Sequence, residues 1–189
     1  NTGSNMLGNN SMTGSLTLAA DSIDFSSLAI RSGGAVIFKP YTASTSIGIN
    51  GGSGTLSDLD SNFLALIDTS TVSPTSVTLG NSTSGSGTVT IGNNWNISGY
   101  TFPISIYGGT ISSHNITLGG YSLLLDALTG DISESAGTII SKSTGGDITL
   151  TLAAAGSILF NGTGGSPDSI TSSSGKLNVV LDSNTAGSG

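Results

Sequence analysis

Short runs of alternating side chains recur along this chain, and several are near copies of one another. Ser76-Val77-Thr78-Leu79-Gly80-Asn81 is echoed by Thr88-Val89-Thr90-Ile91-Gly92-Asn93, and again by Asn115-Ile116-Thr117-Leu118-Gly119-Gly120. Each copy puts two apolar side chains on one face and a Thr between them on the other, which is the period-two pattern of a half-buried strand. The pattern continues in Leu16-Thr17-Leu18, Ile47-Gly48-Ile49, Ile104-Ser105-Ile106, Ile148-Thr149-Leu150-Thr151-Leu152 and Leu177-Asn178-Val179. β-branched residues dominate both faces and suit a pleated surface. Clusters of Gly, Ser and Asn between the runs turn the chain.

Strands this short, starting about 10–12 residues apart, leave a sandwich, a barrel or a β-helix. Three features select the β-helix. The runs are shorter than typical sandwich strands. No regular Asn-Gly or Asp-Gly hairpin signal separates them. Their self-similarity suits one unit stacked on itself to bury a continuous core. The expectation is an all-β chain, a parallel β-helix or β-solenoid of about seven to nine coils, each roughly 20–30 residues long. Residues 1–189 form a single solenoid segment on this reading; neither Asn1-Thr2-Gly3 nor Gly187-Ser188-Gly189 looks like a natural terminus, so the chain is read as mature protein or as a piece of a longer repetitive polypeptide. One stretch departs from the pattern. Leu59, Phe63, Leu66 and Ile67 are spaced as on a helix, Ser57 can cap it, and Asp58 and Asp60 favour its first turn. A short helical insertion near 57–67 is therefore expected, closed by Pro74 before the next strand.

Composition removes several functional classes. Ser and Thr account for 59 residues and Gly for 29, while charged residues are only 8%. Such a chain resembles disordered sequence until its recurrent Ile, Leu and Val clusters are counted; those supply a core. The net charge is -7, and the four cations, Arg31, Lys39, Lys142 and Lys176, are scattered. No basic patch exists to neutralise phosphates, so nucleic acid is not an expected partner. Anionic membrane surfaces repel the chain for the same reason. It contains no cysteine, which excludes disulfides, thiolate metal sites and cysteine nucleophiles. No apolar run is long enough to insert into a membrane.

The block from Lys39 to Leu56, with Tyr41-Thr42-Ala43-Ser44-Thr45-Ser46-Ile47-Gly48-Ile49-Asn50-Gly51-Gly52 inside it, carries a resemblance together with the helical insert and the run 76–93. These phrases resemble the repeats of filamentous-haemagglutinin-like exoproteins, the large secreted partners of two-partner secretion systems. The resemblance covers most of the chain from about residue 15 onward. It implies a right-handed parallel β-helix, export through an outer-membrane partner, an extracellular or bacterial cell-surface location, and a role in adhesion or surface structure. The amino-terminal secretion domain of that family is not recognisable, and the family has no catalytic motif to carry over.

Candidate chemistry is sparse. His114 is the only histidine, and no Gly-x-Ser-x-Gly elbow accompanies it. Asp21 with Asp24 and Asp58 with Asp60 are the close carboxylate pairs. A polysaccharide-cleaving β-helix would need acids flanking a cleft, with cations for an acidic substrate. Asp58-x-Asp60-x-Asn62 begins like an EF-hand loop, but Phe63 stands where Gly is needed and Thr69 where the bidentate Glu should be. Gly51-Gly52-Ser53-Gly54-Thr55 begins like a calcium nonapeptide, but Leu56 replaces its Asp. No catalytic, cofactor or metal residue is assigned. Sequons at Asn9, Asn81, Asn96, Asn115 and Asn161 are no more numerous than composition alone predicts; the last four are candidate glycosylation sites. Outward Thr rows at Thr78, Thr90, Thr117 and Thr149 lack the constant spacing that ice binding needs. Trp95, Tyr100, Phe102, Tyr107 and Tyr121 concentrate in one region. They either fill the core or, with Trp95, Tyr100, Tyr107 and Tyr121 outward, offer a glycan-stacking strip.

The expected function is that of a non-catalytic structural or adhesive segment of a secreted bacterial surface fibre. Its partners would be neighbouring repeats of the same polypeptide and host-surface or matrix glycans. The alternatives are a filament subunit that self-associates end to end by strand pairing, and a carbohydrate-active β-helix enzyme.

Overall fold

A strand with one apolar face must bury that face, and a chain made of such strands can do so by laying equivalent strands side by side. The computed structural model describes residues 5–9, 11, 13–23, 28–56, 64, 67 and 69–184. Its first strands are β1 (Asn5–Gly8), β2 (Leu16–Ala19), β3 (Leu28–Arg31), β4 (Val36–Lys39), β5 (Ile47–Ile49) and β6 (Val77–Leu79). There follow β7 (Val89–Ile91), β8 (Trp95–Asn96), β9 (Ile104–Gly108), β10 (Ile111–Ser113), β11 (Ile116–Leu118) and β12 (Leu123–Ala127). The last are β13 (Ile132–Glu134), β14 (Ile139–Lys142), β15 (Ile148–Ala154), β16 (Ile158–Phe160), β17 (Ser169–Ser172) and β18 (Leu177–Ser183).

The strand pairings are all parallel. A seven-stranded sheet runs β18-β15-β12-β9-β6-β4-β2, a five-stranded sheet β16-β13-β10-β7-β5, and a four-stranded sheet β17-β14-β11-β8. β1 and β3 form a separate pair, and Ile67 bridges to Ile30 beside it. From β6 to β18 the chain visits the seven-, five- and four-stranded sheets in strict rotation. Ile104, Leu123, Leu150 and Val179 are direct neighbours on successive strands and lie roughly 20–30 residues apart in the chain, the length of a repeat unit.

This register stacks like on like. Val36, Val77, Ile104, Leu123 and Leu150 form one buried ladder, and Phe38, Leu79, Ile106, Leu125 and Leu152 form a second beside it. Ile47, Val89, Ile111 and Ile132 line the five-stranded sheet; Trp95, Ile116 and Ile140 line the four-stranded one. Each buried Ile or Leu contributes roughly 1.5–3 kcal/mol over leaving it in water. The fold is thus all-β and built of parallel sheets, each burying the apolar face of its alternating strands. Of the helical stretch expected over 57–67, only Leu64 and Ile67 are described. Leu64 is helical and buried; the rest of that expectation, with Asp58, Asp60 and Phe63, lies outside the described residues.

Three short strands, β10, β13 and β14, carry polar side chains inward. Ser113 and Glu134 are neighbours on the five-stranded sheet, and Ser113 Oγ donates to Glu134 Oε2. Lys142 is 1% exposed. Its ammonium donates to the carbonyls of Thr144 (3.0 Å), Gly145 (3.1 Å) and Ser174, so all three N–H bonds are used. On β18 and β16 the inward Val179, Leu181 and Phe160 are 42%, 52% and 41% exposed, with no further strand paired beyond them among the described residues.

Candidate functional site

The outer face of the seven-stranded sheet has its own ladders. One runs through Thr17, Ile37 and Thr78, which are adjacent on β2, β4 and β6. One step beyond the last paired residues, a second ladder runs Lys39, Gly80, Tyr107 and Asp126 on β4, the end of β6, β9 and β12. Gly80 has no side chain, so a notch about two strand spacings wide, roughly 9–10 Å, separates the Lys39 and Tyr107 positions. Gly80 is the residue this position demands. Its φ is +97°, and a Cβ would lie 1.9 Å from the Tyr107 carbonyl oxygen.

At Gly80 the chain leaves the sheet and folds into a tight loop beside the notch. Asn81 Oδ1 accepts from Thr83 N (3.1 Å) and Thr83 Oγ1 (3.0 Å), while Asn81 Nδ2 donates to Ser84 Oγ (2.9 Å). Gly85 N donates back to the Asn81 carbonyl at 3.1 Å. The result is a groove of about 270 Å³. Thr17, Ile37 and Thr78 line it from the sheet, Lys39 and Tyr107 flank it, and the loop 80–83 closes one side. Its volume sits just below the roughly 300–1,000 Å³ of drug-sized sites, so it suits one small ring and not an extended oligomer.

The electrostatics of the groove are simple. The Lys39 ammonium makes no ion pair or side-chain hydrogen bond among the described residues. Asp21, beyond the end of the neighbouring strand, is occupied: it accepts from Thr42 N (2.8 Å), Thr42 Oγ1 (2.7 Å) and Thr45 Oγ1 (2.9 Å). Those bonds, that to the Thr42 backbone first, hold its carboxyl below the usual range. Asp126 stands one strand past Tyr107. Partial burial, and then the nearby Asp182 carboxylate, push its pKa up. A second hollow of about 390 Å³ is bordered by Met6, Asn9, Ser11 and Arg31, and Arg31 is already engaged.

The aromatic residues separate. Tyr107 flanks the groove. Trp95 is 1% exposed: its side chain is an inward rung of the four-stranded sheet, above Ile116, so it belongs to the core and not to a surface strip. Tyr100 is half-buried and stacks on buried Phe102 with ring centroids 5.5 Å apart. Tyr121 is 44% exposed and is not part of the groove. No common strip joins the four. Among the sequons, Asn96 is exposed and accepts from Ser98 N through Oδ1. Asn115 Oδ1 accepts from Ile139 N. Asn81 and Asn161 have Nδ2, the atom a glycan would modify, committed to hydrogen bonds within the protein. His114 is exposed in the turn between β10 and β11. No group of three or more His, Cys, Asp or Glu side chains placed to hold a metal occurs among the described residues. No helix among them is long and apolar enough to cross a membrane.

Comparisons with protein-family models, with curated proteins and with solved structures find no match to this chain.

Proposed function

We propose that this chain is a segment of a right-handed parallel β-helix from a secreted bacterial surface fibre or adhesin, a non-catalytic rod that displays its outer faces to the surroundings. The observation that carries the reading is the rotation of the chain through three parallel sheets with in-register ladders of Ile, Leu and Val. A chain that climbs one strand spacing per circuit makes a rod, and a rod extends what it carries away from a surface. The right hand is the one favoured when parallel strands are joined by crossovers. The likeness of residues 39–56 and 76–93 to filamentous-haemagglutinin-like repeats supports the extracellular setting. So does a surface of Thr, Ser, Asn and Gly with little charge. The proposed partners are neighbouring repeats of the same polypeptide and glycans on host cells or matrix.

A second reading, end-to-end self-assembly, draws on the exposed Phe160, Val179 and Leu181, which could be covered by the first strands of another copy. Negative-stain electron microscopy of the purified chain tests both. Short, straight, isolated rods support the stalk. Long filaments of uniform width select the assembling subunit. Compact globular particles would sink the rod altogether.

A further inference from the structure

We propose that the groove between Lys39 and Tyr107 binds a single carboxylated sugar residue, with the carboxylate on the Lys39 ammonium and the ring against Tyr107 and Ile37. The assignment deepens the adhesive reading above and rests on it for the source of the ligand, since glycans on host surfaces and matrix would supply such residues.

Three features of the groove converge on this chemistry. A pyranose ring has an apolar face of C–H groups and a polar rim of hydroxyls. The groove has the same two-sided character. Ile37 lies between Thr17 and Thr78 on one ladder, so an apolar patch is bordered by two hydroxyls, and Thr83 adds a third from the loop. Tyr107 supplies an aromatic flank together with a phenolic hydroxyl that can donate or accept. The volume of about 270 Å³ admits one ring.

The charge selects the class of sugar. Lys39 brings one ammonium into the groove without a protein partner among the described residues. The molecule as a whole carries a net charge of -7, so an anion is repelled over most of the surface and meets attraction locally. One ammonium neutralises one unit charge, which fits a carboxylate better than a doubly charged phosphate monoester. Orientation follows as well. Asp126 stands one strand beyond Tyr107, so a ligand carboxylate is disfavoured at the Tyr107 end and directed to Lys39. The loop is preformed by the bonds around Asn81, so binding a small ligand costs little ordering there.

The test uses a matched pair of probes, methyl β-D-glucuronide and methyl β-D-glucoside, which differ at C6 in carboxylate versus hydroxymethyl. Binding to the full chain is followed by saturation-transfer difference NMR and chemical-shift titration. The glucuronide should bind more tightly than the glucoside by about tenfold, as expected for a charge-assisted hydrogen bond in a partly enclosed site. Lys39→Gln should erase that difference, and Tyr107→Ala should weaken both sugars. Asp126→Asn should leave glucuronide binding intact or strengthen it. Lys39 and Asp126 lie on the outer face, and circular dichroism of each variant checks that its fold is kept. Equal affinity for the two sugars, an unchanged preference in Lys39→Gln, or no binding of either sugar overturns the proposal. The shape seen by electron microscopy is independent of these titrations. Rods that bind neither sugar would refute the groove and leave the stalk standing, whereas globular particles would refute the stalk.

Discussion

Glu134 is a carboxyl group in a place where a carboxylate is poorly served. It is fully buried, with Ser113 on one neighbouring strand and Phe160 on the other. Oε2 accepts from Ser113 Oγ, while Oε1 has no hydrogen-bond partner among the described residues. Burial pushes its pKa above the ordinary value of 4.5, the Ser113 bond opposes the rise, and the Asp168 charge adds to it. A group whose pKa is raised by folding holds its proton more tightly in the folded chain. The stability this gives is complete below the unfolded pKa and is lost as pH rises through the folded one. Wild-type stability should therefore decline as pH rises above about 4.5 and through the raised folded value, with Asp126, also raised, acting in the same direction. Ionising Glu134 leaves one oxygen without a donor, at a cost of about 1–3 kcal/mol. Glu134→Gln, which has nearly the same shape and cannot ionise, should flatten the decline by about that amount, equivalent to several degrees in Tm. Ser113→Ala removes the Ser113 donor to the carboxylate and should destabilise more above the folded pKa of Glu134 than below about pH 4.5. Urea unfolding followed by circular dichroism across this range measures all three chains. A wild-type curve that is flat or rises with pH, or a Glu134→Gln curve that falls as steeply as wild type, refutes the reasoning.

Lys142→Met keeps the length of the side chain but removes the donors that join the carbonyls of Thr144, Gly145 and Ser174. It should cost about 1.5–3 kcal/mol and speed amide exchange in the two turns at 143–147 and 173–176, while β9 and β12 stay protected; unchanged exchange there would count against the staple. Gly80→Ala forces an L residue to φ +97° with its Cβ 1.9 Å from the Tyr107 carbonyl oxygen, so it should destabilise by at least about 1–3 kcal/mol in a thermal melt, and a neutral result would contradict the strain. Asp21→Asn should remove a slope on the acid side. The pKa of Asp21 is depressed by its bonds to Thr42 and Thr45, so its contribution is present above the unfolded value of 3.8 and lost as pH falls through the folded value. Wild type and variant should converge in stability at the most acid pH, and parallel curves would refute the assignment.

What the sequence shows of this fold depends on which side chains face inward. Strands β2, β5, β6, β7, β9, β11, β15 and β18 all announce themselves, because apolar inward residues alternate with Thr, Ser, Asn or Gly. Strand β10 does not. Ile111-Ser112-Ser113 has one apolar residue, and its inward Ser113 finds its partner one circuit later in Glu134. β13 and β14 are hidden in the same way by Glu134 and Lys142. β12 is hidden for the opposite reason: Leu124 faces outward between the buried Leu123 and Leu125, so the strand reads as an unbroken apolar run. The groove was half legible. Tyr107 belongs to the aromatic group visible in the sequence, but nothing local ties it to Lys39 across 67 intervening positions. Aligning Ile37-Phe38-Lys39, Thr78-Leu79-Gly80 and Ser105-Ile106-Tyr107 as equivalent strands would have placed the three outward positions in one row.

That row also shows how little the burial of parallel strands constrains their outward positions. The inward positions of these three strands are held to Phe38, Leu79 and Ile106 by burial, since each must fill the core above and below its neighbours. The outward positions next to them carry no such demand, and there the chain places a cation, a glycine and an aromatic ring on successive strands. The glycine acts twice, opening the space between the other two side chains and letting the loop that borders it leave the sheet. With charged residues at only 8% of the sequence, Lys39 is the one cation lining the groove among the described residues. The outward row of an otherwise uniform ladder thus changes character over three strands, and comparing outward rows strand by strand locates such changes from the sequence alone.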